Sequence, residues 1–190
     1  MRTCRIILLA VVAGALGAGS TRAQETNAPL TNLEAFETQT GTVIVKGNAL
    51  IGTITAPTGI VSVRCKESTE TSSGRKEYGI AVGLKEGEHL EDTTLIDYDE
   101  FDSLLSGLNY LCKVDHAVTS LPNFDAVYNT GGGLHIAVFN STRRAGTILA
   151  SLESGRVTTN RVLLATSQLI QFRDMIQQAK SKLDSIRTKK

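Results

Sequence analysis

The clearest hydrophobic period in the chain runs from Thr166 to Ile186. Leu169, Phe172, Ile176, Ala179, Leu183 and Ile186 recur at alternating steps of three and four, which places them on one face of a helix. Ile170 and Met175 widen the stripe, while Gln171, Arg173, Asp174, Gln177, Gln178, Lys180, Lys182 and Asp184 are left for water. A one-sided stripe of this length predicts a helix lying on a core, because the strands before it need a cover and three heptads make a short coiled-coil seam. Thr166 or Ser167 can accept hydrogen bonds from the free N–H groups at its start, and Lys182, Arg187, Lys189 and Lys190 complement the negative end of its dipole.

Upstream the texture is that of strands. Thr42 to Val45 and Ala49 to Ile54, parted by Lys46-Gly47-Asn48, read as strand, turn, strand. Pro57 and Gly59 mark a further turn before a strand from Ile60 to Glu67, and the polar tip Ser68 to Gly74 leads into the unbroken run Tyr78 to Leu84. Thr93 to Ile96 makes one more short strand. Asp97 then caps a helix through Cys112, with Glu100 completing a capping-box-like pair and Phe101, Leu104, Leu105, Leu108 and Leu111 on its buried face. Strands return at Phe124 to Asn129, Leu134 to Phe139, Ala145 to Leu152 and Val157 to Leu164. Hairpin loops at Thr130 to Gly133 and Glu153 to Arg156 join them, the first with three glycines that permit positive φ.

Strands in hairpin pairs, not alternating with helices, predict an α+β fold: a twisted antiparallel sheet with two amphipathic helices packed on one face. The order is a group of strands and one helix, twice over. In that order the chain resembles the Whirly type of single-strand-binding fold, a resemblance of topology that carries no functional residue to these positions.

The first residues change the picture of where the domain begins. Arg2 and Arg5 precede an apolar run from Ile6 to Leu16, and Thr21-Arg22-Ala23 offers a small-residue cleavage site, the pattern of a secretory signal peptide over residues 1–23. The run is too short for a permanent membrane span. Residues 24–40 are polar, hold Pro29 and only Leu30, Leu33 and Phe36 as bulky apolar groups, and read as a flexible arm ahead of a single domain over 41–190. The expected product is a periplasmic or extracellular protein with no integral membrane segment once the signal is removed.

The whole chain carries 20 basic and 19 acidic residues, a net charge of +1; cleavage after Ala23 removes Arg2, Arg5 and Arg22 and no acid, which leaves −2. A near-neutral exported chain is a poor partner for nucleic acid or an anionic membrane. That leaves a protein or a small molecule. Cys65 and Cys112 survive cleavage into an oxidising compartment, and strand and helix spacing point both at the core. Two readings stand: a disulfide contributing on the order of 4 kcal/mol, or two buried free thiols acting as small hydrophobes.

No catalytic, cofactor-binding or metal-binding set emerges from spacing. The acids Glu91, Asp92, Asp97, Asp99, Glu100 and Asp102 are the densest polar cluster, but Phe101 breaks the alternation of a calcium loop, and three of them suit the first turn of a helix. His89, His116 and His135 form no close pair, and His135 alternates with Leu134 and Ile136 onto the other sheet face. There is no Gly-x-Ser-x-Gly elbow, and Gly131 to Gly133 precede a strand, not the helix a phosphate cradle needs. Arg143 and Arg144, in the loop after Phe139, could grip an anion but read better as solvated loop arginines, and Asn140-Ser141-Thr142 matches a glycosylation acceptor in a predicted loop. The sequence therefore predicts an exported, non-catalytic binding or structural module. The competing reading is a small secreted hydrolase or metal-dependent enzyme in which Asp97, Asp99 or Asp102 meets one of the histidines.

Overall fold

A computed structural model describes residues 31–141, 146–154 and 160–188. The expected signal peptide over residues 1–23, the expected arm up to residue 30, Arg143, Arg144 and residues 155–159 lie outside the described residues. A short helix α1 (Asn32–Glu37) precedes β1 (Ile44–Ala56), β2 (Gly59–Glu70), β3 (Lys76–Glu86) and β4 (Asp92–Asp97). A 3-10 turn (Tyr98–Glu100) leads into α2 (Phe101–Leu111), followed by β5 (Asp125–Asn129), β6 (His135–Asn140), β7 (Ile148–Ser154), β8 (Asn160–Ala165) and α3 (Thr166–Arg187).

The fold is α+β and all pairing is antiparallel, but the strands make two sheets, β1-β2-β3-β4 and β5-β6-β7-β8, in place of the single sheet expected. The second sheet does not extend the first because its last strand is sealed at the edge by side chains. Arg161 N–H donates to Glu86 (2.9 Å), Leu163 N–H to the Thr58 hydroxyl (2.8 Å), and the Asn160 amide to the carbonyls of Leu84 (2.9 Å) and Leu90 (2.7 Å). These bonds join the sheets and leave β8 no edge to offer.

One continuous core fills the space between. Val61, Val63 and Cys65 of β2 face inward with Ile80, Val82 and Leu84 of β3, meeting Ile136, Val138, Leu152, Val162 and Leu164 of the second sheet. Into it α3 lays Leu169, Phe172, Met175, Ile176, Ala179 and Leu183, all buried, as its period predicts. Its start is held otherwise than expected. Gln168 accepts from Ala165 N–H (3.0 Å) and donates to Thr55 carbonyl (3.0 Å), so neither Thr166 nor Ser167 is needed as a cap.

Two local expectations are corrected by pairing. Lys46-Gly47-Asn48 is no turn: these residues pair with Ser68, Glu67 and Lys66 inside one 13-residue strand, because β2 runs far enough to give them partners. A register shift between Leu50 and Gly52 then aims Gly52 at Met175 of α3, where a Cβ would sit 3.4 Å from the methionine methyl.

The expected loose arm is ordered from Thr31 onward. The Thr31 hydroxyl accepts from Glu34 N–H (3.0 Å), and Leu33 and Phe36 are buried. Leu33 packs over Gly79, while Glu37 binds Lys66 (2.6 Å), Ser68 (2.7 Å) and Lys46 (3.1 Å). Lys66 and Ser68 alternate with Cys65, whose thiol meets the Ala179 carbonyl of α3 at 3.6 Å. By strand alternation α1 and α3 therefore lie on opposite faces of the first sheet. Helix α2 packs on α3 and β5. Among the described residues no helix is long and apolar enough to cross a membrane.

Candidate functional site

The acidic cluster is dispersed by the fold. The Asp97 carboxylate accepts from the N–H groups of Asn32 (2.7 Å) and Leu33 (2.9 Å), so it caps α1, not the helix that follows it in sequence. Glu100 accepts from Gly131 N–H (3.0 Å) on the β5–β6 turn, and burial, opposed by that bond, holds its pKa above the usual range. The predicted capping box thus becomes two ties to distant elements. Glu91 lies over Gly83 with Arg64 (3.1 Å) and Ser62 (2.9 Å), and the Arg64 bond keeps its carboxyl low. Asp102 is a surface group, its side chain 88% exposed and 3.6 Å from Lys180.

The histidines sit apart from these acids. His89 is exposed in the β3–β4 turn, and His135 binds Asn129 (2.6 Å) at one end of the β5–β6 hairpin. His116 lies in the connector after α2, edge-on to Phe124 with ring centroids 6.1 Å apart and 3.4 Å from the Gly146 carbonyl. Among the described residues no three His, Cys, Asp or Glu side chains converge as metal ligands would.

Cys65 and Cys112 are both free thiols, so of the two readings the structure holds the unbridged one. The reason is visible along α3. Cys65 faces Ala179 and lies near Lys182, whereas Cys112 lies near Arg173 and Asp174, at least five residues or about 7.5 Å along the helix axis. Burial raises the pKa of both, which makes them poor nucleophiles at neutral pH. Asn140 ends β6 and is not in a loop. Its amide donates to the Pro122 carbonyl (2.8 Å) and accepts from Phe124 N–H (2.9 Å), which commits the nitrogen a glycan would need.

Among the described residues, two concavities stand out. A polar one of about 420 Å³ is bounded by Asn32, Tyr78, Asp97, Tyr98, Asp99 and Arg187. Its aromatic faces are already taken: the Arg187 guanidinium lies 3.8 Å from the Tyr98 ring centroid and 5.7 Å from that of Tyr78, and the Tyr98 hydroxyl donates to Asp184. Asp97 is spent on α1. The groups that could recognise a ligand in this cavity are thus already engaged within the fold.

The second concavity, about 370 Å³, is a groove between the end of α2 and β5, lined by Tyr110, Leu111, Val118, Phe124, Asp125 and Ala126. Its geometry follows from close packing on one side and a pinned connector on the other. Gly107 lets α2 approach until a Cβ would collide with the Tyr128 ring, and the hydroxyls of Ser103 and Tyr128 are 2.8 Å apart. The connector from Lys113 to Phe124 is held by Asp115 on Ala117 N–H (2.8 Å) and by Asn140 at Phe124 and Pro122. The groove is lined mostly by apolar residues, with Thr119 and Asp125 the polar ones, and is open to water: Tyr110 is 61%, Val118 39% and Val127 43% exposed. Such clustering is what a binding surface shows and scattered surface residues do not.

Sequence reasoning missed this groove. The signal was present as Val118 and Phe124 in the connector from Lys113 to Phe124, apolar residues with no period to assign them to a core. Comparison with protein-family models, with curated proteins and with solved structures finds no match to this chain, so its function is read from this geometry.

Proposed function

We propose that the chain is an exported, non-catalytic binding module whose contact surface is the groove between α2 and β5. The observation that carries this reading is a walled, water-open, apolar groove beside a strand with a free edge. Its size is that of a site for a few side chains, within the range of ligand-binding clefts. The histidines and acids that an enzyme would bring together serve instead as caps, turn ties and surface charges. Export by residues 1–23 places the partner outside the cytoplasm, and the net charge of −2 after cleavage speaks against nucleic acid.

The test compares the secreted chain with Val118→Asp, which puts a charge into the groove wall at an exposed position. Both are immobilised and exposed to the envelope or culture fraction of the source. A partner retained by the native chain and lost from Val118→Asp agrees with the reading; identical captures by the two proteins refute it. N-terminal sequencing of the exported product checks the other half, with Gln24 as the expected first residue.

A further inference from the structure

We infer that the groove receives an extended peptide, added as a fifth strand on β5, with apolar side chains entering the groove and a lysine or arginine facing Asp125. This rests on the groove being the contact surface, as proposed above, and adds the chemistry of what it takes. The backbone dictates the first part. Thr130 N–H donates to the Leu134 carbonyl (2.9 Å) and Phe124 N–H to the Asn140 side chain (2.9 Å), so the even-numbered residues of β5 turn their polar groups toward β6. In an antiparallel ladder the alternate residues turn theirs away. The N–H and C=O groups of Asp125, Val127 and Asn129 therefore point outward, and among the described residues no strand pairs with them.

The other edges are defended and this one is not. β8 is sealed by Thr58 and Glu86, β1 carries a bulge and Lys46, and β4 is crossed by the β5–β6 turn, where Gly132 lies against the Leu95 carbonyl. β5 has neither proline, lysine nor bulge, the devices by which exposed edges are usually protected. It is also the edge with an apolar groove alongside.

Alternation dictates the second part. Ala126 and Tyr128 project to the α2 side, so every second residue of an added strand projects there too, between Tyr110, Val118 and Phe124. The intervening residues fall beside Asp125, Val127 and Asn129 on the opposite face. Asp125, the one charged residue of β5, lies on that opposite face, where it selects a cation directly across from it. A second copy paired through its own β5 fits less well. Its Ala126 and Tyr128 are already packed at home, Tyr128 against Gly107, so two grooves would face each other with nothing to fill either.

The experiment pans a randomised seven-residue peptide library on the secreted chain, with subtraction on Val118→Asp. The expected selection alternates apolar with polar residues and includes lysine or arginine. A synthetic peptide from it should lose at least tenfold in affinity on Val118→Asp or Tyr110→Ala, and severalfold on Asp125→Asn. Hydrogen exchange at the Val127 and Asn129 amides should slow at least tenfold when it binds. Peptides that bind in the groove without slowing those amides overturn strand addition and leave the groove reading standing. No enrichment over Val118→Asp overturns both. Protection of β5 amides without peptide, together with a dimeric mass by light scattering, assigns the edge to a second copy and overturns the inference.

Discussion

Replacing Asp97 by alanine separates what the structure says from what the sequence suggests. In sequence Asp97 precedes a helix and reads as its cap; in space its carboxylate takes the N–H groups of Asn32 and Leu33 at 2.7 and 2.9 Å. A lost cap costs about 0.5–2 kcal/mol, and hydrogen bonds to a charged group about 1.5–3 kcal/mol. For this pair, one bond exposed and one partly buried, the expected loss is about 2–3 kcal/mol. A ceiling exists because α1 has six residues and cannot persist alone. If it detaches entirely, the loss is the burial of Leu33 and Phe36, about 3–6 kcal/mol. Asp97→Asn, which keeps an acceptor oxygen, should lose roughly half as much as alanine.

The assay is urea unfolding combined with native-state hydrogen exchange. Asp97→Ala should deprotect the amides of Ala35 and Thr38, which bond to the carbonyls of Thr31 and Glu34, while residues 101–111 keep native exchange. Deprotection of α2 with α1 intact would refute the assignment. So would a loss below about 0.5 kcal/mol, the size of an ordinary surface substitution.

Three further outcomes follow from the packing and the charges. Phe172→Ala, at a fully buried position on α3, should cost about 3–5 kcal/mol by denaturant titration, since the cavity opens where both sheets meet the helix. Glu37 is pushed up by burial but pulled further down by its bonds to Lys66, Ser68 and Lys46, so its folded pKa lies below that of the unfolded chain. Its stabilisation is therefore complete above the ordinary glutamate value of about 4.3 and is lost as pH falls through the lower folded value. The stability gap between the native chain and Glu37→Gln should shrink on acidification from about pH 6 to about pH 3, and a gap that widens would contradict the sign. With both cysteines free, iodoacetamide in denaturant without reductant should alkylate Cys65 and Cys112, and reductant should leave the melting temperature unchanged. Alkylation that requires reductant would show a bridge.

Much of the fold was legible because periodicity reports burial. Of the α3 stripe, Leu169, Phe172, Met175, Ile176, Ala179 and Leu183 are buried, while Ile170 is exposed and Ile186 half-buried, and Phe101, Leu104, Leu105, Leu108 and Leu111 face inward as their spacing requires. What could not be read is what depends on partners distant in sequence. Lys46-Gly47-Asn48 has turn chemistry locally, and only the length of β2 overrides it. The split into two sheets depends on Asn160, Thr58 and Glu86, residues 70 to 105 positions from their partners, which no window along the chain can relate. Asp97 and Glu100 had the right residue types for a cap and served other elements. The groove was hidden for a different reason: Val118 and Tyr110 belong to no repeating pattern, and their meaning appears only when β5 is seen at an edge.

If the groove between α2 and β5 is the contact surface, an amide chemical-shift map of the protein titrated with a library-selected peptide reads it directly. The account predicts shifts concentrated at Asp125 to Asn129 and from Tyr110 to Thr119, with the cavity under Arg187 undisturbed. Shifts centred instead on Tyr78, Tyr98 and Asp99, or none at β5, would contradict it.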